Sequence, residues 1–177
     1  NYTRNWFAQD GGVGQRVTDL VAKLAALNIP VVSATGNSYA GQEGSGFASI
    51  IPDTISVTAT DSADHLVANA QRLGADVGGA SATDIAAPGN GGTSFAAPLV
   101  SGTIVLMQQL YESRFDRLPS VADLDAWLTA GADTVTDAAS RFAIGRLDVS
   151  RSLAHVPVPA AQVLIPPTPP VVTPAPT

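Results

Sequence analysis

Ser94 sits in the stretch GGTSFAAPLVSG, Gly91 to Gly102, between glycines and small apolar residues. A serine placed where a helix begins has its hydroxyl among N–H groups that lack intrahelical partners, at the positive end of the helix dipole. That field favours negative charge developing on a nearby oxygen, which is what acyl transfer requires. Gly91 and Gly92 leave room for another backbone to approach, and Ala96 and Ala97 let the helix pack closely behind. The same placement also suits an ordinary helix cap, a role in which serine is common, and Gly-Thr-Ser alone does not decide between the two. A hydroxyl is moreover a poor nucleophile until a base takes its proton, and the base needs an orienting carboxylate. The chain has two histidines. His65 lies in the polar stretch DSADHLVANA and His155 stands where a proline-rich tail begins, so both read as solvated rather than catalytic. Asp61, Asp64 and Asp84 lack the spacing of a calcium loop, and no metal ligands are assigned.

Several elements must position Ser94. Val17, Leu20, Val21, Leu24 and Leu27 recur at helical spacing and predict a helix from about Gln15 to Leu27 with one apolar face, stopped at Asn28. IPVVSAT then reads as a short buried strand. Helix, stop and β-branched run together suggest an α/β unit with a parallel sheet. DTISVTATD is a second strand and TDIAAPG a short third one ending at Pro88 and Gly89; residues 62–81 stay unassigned. A long helix from Ser94 to about Phe115 is apolar on most of its faces, with Pro98 placed in its first turn, where a missing N–H costs little. A further helix starts at Ser120, whose hydroxyl can cap it while Asp123 supplies the acidic third position.

GTSFAAPLVSG resembles the serine signature of the subtilisin-like serine peptidases, G-T-S-x-[SA]-x-P followed by small residues, at every fixed position. VVSATGNSYAG resembles the segment that ends a strand in that family and reads close to A-A-G-N. The resemblance implies that Ser94 is the nucleophile, that Asn37 donates its side-chain amide to the oxyanion, and that Ala34, Thr35 and Gly36 line one wall of the S1 pocket. It also implies a three-layer α-β-α fold with a mainly parallel sheet, truncated at its N-terminal side. IIPDTISVTATD and DIAAPG match the strands lying between the two motifs, and AIGRLDVSRSLAH, Ala143 to His155, resembles the closing region of the family domain. The match covers roughly Val17 to His155. The family's Asp and His motifs, D-[ST]-G and H-G-T, do not occur in the sequence. The expectation is therefore a C-terminal portion of the catalytic domain, inactive by itself, whose His and Asp lie on polypeptide outside this sequence. A-P-G and G-T-S are separated here by only Asn90 and Gly91, a shorter loop than in relatives, which bears on specificity. NYTRNWF at the start resembles a remnant of the strand that pairs with substrate backbone.

The 177 residues carry 45% hydrophobic and 14% charged side chains, which suits a globular interior. A net charge of −6 argues against nucleic acid as a partner, because phosphate binding needs clustered Lys and Arg, which the sequence lacks. No cysteine is present, so thiol nucleophiles, thiolate metal sites and disulfides are excluded. No apolar run is long enough to span a bilayer. Residues 1–155 read as the catalytic-domain portion and 156–177, with most of the prolines, as an extended linker or tail. The reading is a serine endopeptidase acting on polypeptides without a cofactor in the chemistry. Calcium, often structural in the family, has no placeable site. The family and the tail point to a secreted or cell-surface bacterial protein. The alternative is a non-catalytic domain that binds peptides or proteins through the same cleft.

Overall fold

Among the described residues five strands form one sheet in the order β1-β2-β3-β5-β4, and four α-helices connect and cover it. The computed structural model describes residues 11–137 and 141–160. NYTRNWF, with its resemblance to a substrate-pairing strand, and tail residues 161–177 lie outside the described residues. In chain order the elements are α1 (Val13–Ala26), β1 (Val31–Ala34), β2 (Thr54–Thr60), β3 (Ile85–Pro88), α2 (Thr93–Phe115), α3 (Val121–Gly131), β4 (Asp133–Thr136), β5 (Ala143–Arg146) and α4 (Val149–Ala154). β1, β2, β3 and β5 run parallel, and β4 pairs antiparallel with β5. The result is the mainly parallel α/β architecture expected from the sequence.

β2 is buried at all seven positions, as a central parallel strand must be. Its odd residues Ile55, Val57 and Ala59, with Ile85 and Ala87 of β3, face Ala96, Val100, Ile104 and Met107 of α2 in the main core. Leu124 and Leu128 of α3 close that core. On the opposite face the alternate residues are hydroxylic and hydrogen-bonded by the returning chain: Ser56 donates to Ala82 O (3.2 Å) and Thr58 to Gln71 O (2.9 Å). Each bond satisfies a polar group that would otherwise cost free energy inside the fold.

The Ser120–Asp123 capping box forms as the sequence predicts: Asp123 N–H donates to Ser120 Oγ (3.1 Å) and Ser120 N–H to Asp123 Oδ2 (3.2 Å). Asn28 ends α1 in the left-handed region, φ 59°. The predicted apolar face of α1 is only partly used. Val21 is buried, but Leu20 and Leu27 are exposed, because the helix leans on the edge strand β1 rather than across the sheet. Pro98 falls in the second turn of α2, since the helix begins at Thr93. Its missing N–H therefore leaves the Ser94 carbonyl without the usual partner four residues on. Ala143 to His155 holds strand β5 and helix α4, and the β4–β5 hairpin has no forewarning in the sequence.

Candidate active site

β1, β2 and β3 are parallel, so the segments that follow β1 and β3 emerge at one edge of the sheet, the edge where open α/β sheets bind ligands. Asn37 follows β1 and Ser94 follows β3. The link between them is Thr93. Its N–H donates to Asn37 Oδ1 at 2.9 Å, and its hydroxyl donates to the same oxygen at 3.2 Å. The Thr93 hydroxyl in turn accepts from Gly36 N–H at 3.1 Å. A backbone N–H can only donate, so Asn37 must turn Oδ1 toward Thr93 and its amide NH2 away. Asn37 is exposed, and that amide faces outward with its orientation fixed.

Gly92 makes this junction possible. It adopts φ +117°, a conformation side chains rarely take, and a Cβ there would stand 2.8 Å from Asn37 Oδ1. Gly92 is also the N-cap residue of α2, so the cap position has no side chain of its own, and the first helical N–H, that of Thr93, is taken by Asn37 Oδ1. Ser94 lies inside the first turn, exposed, with neither its hydroxyl nor its N–H bonded among the described residues. The cap reading of Ser94 is therefore not what the fold uses. Among the described residues, the Ser94 N–H and the Asn37 amide both stay unspent at the positive end of a 23-residue helix.

The predicted pocket wall is rigid. Thr35 is fully buried, and its hydroxyl is held between Val57 O (3.2 Å) and Gln71 O (2.6 Å). Its side chain therefore points into the fold, and its backbone is engaged as well: the N–H donates to Val57 O (3.0 Å) and the carbonyl accepts from Gly46 N–H (2.8 Å), so Thr35 presents no free group at the surface. Gly36 takes φ +105°, a conformation that side chains rarely adopt, and a Cβ there would have to displace the Gln71 side-chain amide; its carbonyl accepts from Gln71 N–H at 2.8 Å. Ala34 ends β1, half-buried.

No base reaches Ser94 from the described residues. The His65 side chain is 77% exposed, with Nδ1 3.7 Å from Asp61 Oδ2, and His155 is an exposed residue at the end of α4. Asp61, Asp64 and Asp84 do not meet. Asp61 caps its own turn through Ala63 and His65 N–H, and those bonds hold its carboxyl below the usual range. Asp64 pairs with Arg146, and Asp84 lies at the opposite end of the sheet. Thr93 is the site residue that the sequence does not single out. The only available signal is a hydroxyl-bearing β-branched residue directly before the serine.

Asp84 accepts from the Ser56 N–H (2.6 Å) and hydroxyl (2.7 Å), yet burial pushes its pKa up to about 6, with the charges of Asp125 and Asp76 adding to the effect. Burial also raises Asp125. Asp125 Oδ1 and Thr54 Oγ1 are buried without a hydrogen-bond partner, and with Asp84 their residues line a cavity of ≈ 180 Å3. These oxygens are the donors that a hard cation would use, although no group of three or more His, Asp or Glu converges among the described residues. A folded-state pKa above the ordinary value means that Asp84 supports the fold fully only below the usual carboxylate range, and that support is lost as pH rises through about 6. Asp84→Asn is therefore expected to be more stable than the parent at about pH 7, by on the order of 2 kcal/mol, and to lose that advantage at about pH 4. Denaturant unfolding of the pair at both pH values checks the sign.

The model of the subtilase family matches residues 8–146. Among solved structures, the prenylagaramide maturation protease PagA is similar with a TM-score of 0.66 and 23% identity, over 84% of this chain and 58% of PagA. The patellamide maturation protease PatA is similar with a TM-score of 0.63 and 25% identity, over 78% of this chain and 55% of PatA. The chain thus spans little more than half the length of either. No curated protein matches it.

Proposed function

We propose, given that the chain belongs to the subtilase family, that it is the part of a serine endopeptidase carrying the nucleophile and the oxyanion donor. The observation that carries this reading is the Thr93 junction, which fixes the Asn37 amide beside an unbonded, exposed Ser94 at a helix N-terminus. In the reaction, a histidine on polypeptide outside this sequence takes the Ser94 proton as Oγ attacks the scissile carbonyl. The carbonyl oxygen becomes an oxyanion, stabilised by the Asn37 amide and the Ser94 N–H. Collapse breaks the C–N bond, the departing amine takes the proton back from the histidine, and water hydrolyses the acyl-enzyme by the same steps in reverse order. No cofactor enters the chemistry. The substrate is a polypeptide and the location secreted or at the cell surface; no described helix is long and apolar enough to cross a membrane.

The test is labelling by a fluorophosphonate, which reacts only with an activated serine. The product of the full reading frame is expected to label at Ser94, and the 177-residue chain alone is not. Labelling of neither favours the alternative, a cleft that binds peptides without cutting them. Thr93 acts here as a positioning residue. Thr93→Val keeps the shape but removes both hydroxyl bonds, and is expected to lower kcat about tenfold with KM held. Thr93→Ser should restore most of the loss, which a purely structural role would not require.

A further inference from the structure

Gln71 and Arg72 stand side by side outside the helices and strands, yet they are only 6% and 3% exposed. Long polar side chains are seldom buried so deeply unless they are paired. What this pair holds is the turn that presents Asn37. Before Asn37, the Gln71 N–H donates to Gly36 O (2.8 Å), and the Gln71 carbonyl accepts from the Thr35 hydroxyl (2.6 Å). The Gln71 side-chain amide occupies the place that a Cβ on residue 36 would need, so it backs Gly36 at φ +105°. After Asn37, the Tyr39 N–H donates to Asn69 O (2.9 Å). The Tyr39 ring lies against the Arg72 guanidinium, whose Cζ is 3.7 Å from the ring centroid. Arg72 is fixed in turn, donating to Ala70 O (3.1 Å) and to Asp137 Oδ2 (2.7 Å).

Resting on the reading of Asn37 as oxyanion donor, we propose that residues 69–72 form a bracket that sets the aim of the Asn37 amide, with Gln71 and Tyr39 as positioning residues that act through Asn37. Asn37 lies between the two holds, one on residues 35 and 36 and the other on residue 39. Thr93 pins the side-chain oxygen of Asn37 and nothing more of it. Where the amide then points depends on the backbone that carries it, and with either hold released that backbone would pivot about the Thr93 bonds. A misplacement of ~1 Å can cost about 10²-fold in rate, even when its cause lies away from the reacting atoms. The bracket is built of long-range contacts, Gln71 being 36 positions from Thr35 and Arg72 65 from Asp137, so it is as firm as the fold itself.

Gln71→Ala takes the backing from Gly36, and Tyr39→Leu takes the ring from Arg72. In the product of the full reading frame each is expected to lower kcat about tenfold, with KM changed by less than about twofold. Both substitutions are then repeated in an Asn37→Ala background, where no amide remains to be aimed. There each is expected to change kcat by less than about twofold, the non-additivity of residues that act on one group. Undiminished kcat in either folded single variant overturns the proposal. So does a tenfold loss carried in full into the Asn37→Ala background, because support of the fold alone would be lost there too. Should Gln71→Ala not fold, Tyr39→Leu at a half-buried position carries the same cycle. Asn37→Ala by itself separates the bracket from the reading beneath it. Undiminished kcat in that variant removes the oxyanion donor and the bracket together. Lowered kcat there, beside unaffected Gln71→Ala and Tyr39→Leu, removes the bracket and leaves the donor.

Discussion

Replacing Ser94 by alanine is expected to abolish casein hydrolysis by the product of the full reading frame, with a loss on the order of 10⁶ in kcat, the size seen when subtilisin loses its nucleophile. The same substitution should leave stability within about 0.5 kcal/mol of the parent, the usual range for a surface change. Both halves matter. Ser94 is exposed and its hydroxyl is bonded to nothing among the described residues, while Gly92 occupies the cap position. Were the serine a cap, alanine would cost about 1 kcal/mol instead. The stability half can be measured on the 177-residue chain itself by denaturant unfolding. Retained hydrolysis in the alanine variant would end the assignment.

Asn37 allows a sharper separation, because its two side-chain ends do different things. Its oxygen holds Thr93, and among the described residues its amide has no partner. Asn37→Ala should lower kcat by roughly 10²–10³, as removal of an oxyanion donor does in this family. Asn37→Asp keeps an oxygen for the Thr93 N–H and replaces the donor with an anion facing the developing charge. Its kcat should fall at least as far. Stability should move the other way, up by about 0.3–1 kcal/mol, because a carboxylate at the N-terminus of α2 is favoured by the helix dipole. A steady-state assay and a thermal melt on the one variant report both signs. An Asn37→Asp enzyme with undiminished kcat would show that the amide donates to nothing in the reaction.

Much of this arrangement is legible in the amino-acid sequence alone. The signature around Ser94 marks the start of α2, and β1, β2 and β3 each correspond to a run of small or β-branched residues. The Ser120 capping box is a local pattern with a local cause, and it forms where the pattern predicts. β4 and β5 escape such a reading because DTVT and AIGR are four-residue strands held mainly by each other, with no alternation long enough to register. The Thr93 junction is invisible in the sequence because it joins residues 56 positions apart, and only the parallel pairing of β1, β2 and β3 brings them together. The exposed Phe95, Leu99, Val105 and Leu106 also have a signal in the residues of α2. A helix apolar on most of its faces needs cover all round, and among the described residues the sheet, α3 and α4 cover part of it only.

Arg114 gives the molecule a front and a back. Its guanidinium donates to the carbonyls of Val156 and Pro157, each at 2.8 Å, and Val156 is seated in the main core. Ser94 and Arg114 stand near opposite ends of α2, so at a rise of ~1.5 Å per residue they are about 30 Å apart along its axis. The chain therefore departs from the pole farthest from Ser94. A probe attached just past Pro157 would therefore stand at the far end of α2 and leave the surroundings of Ser94 unobstructed.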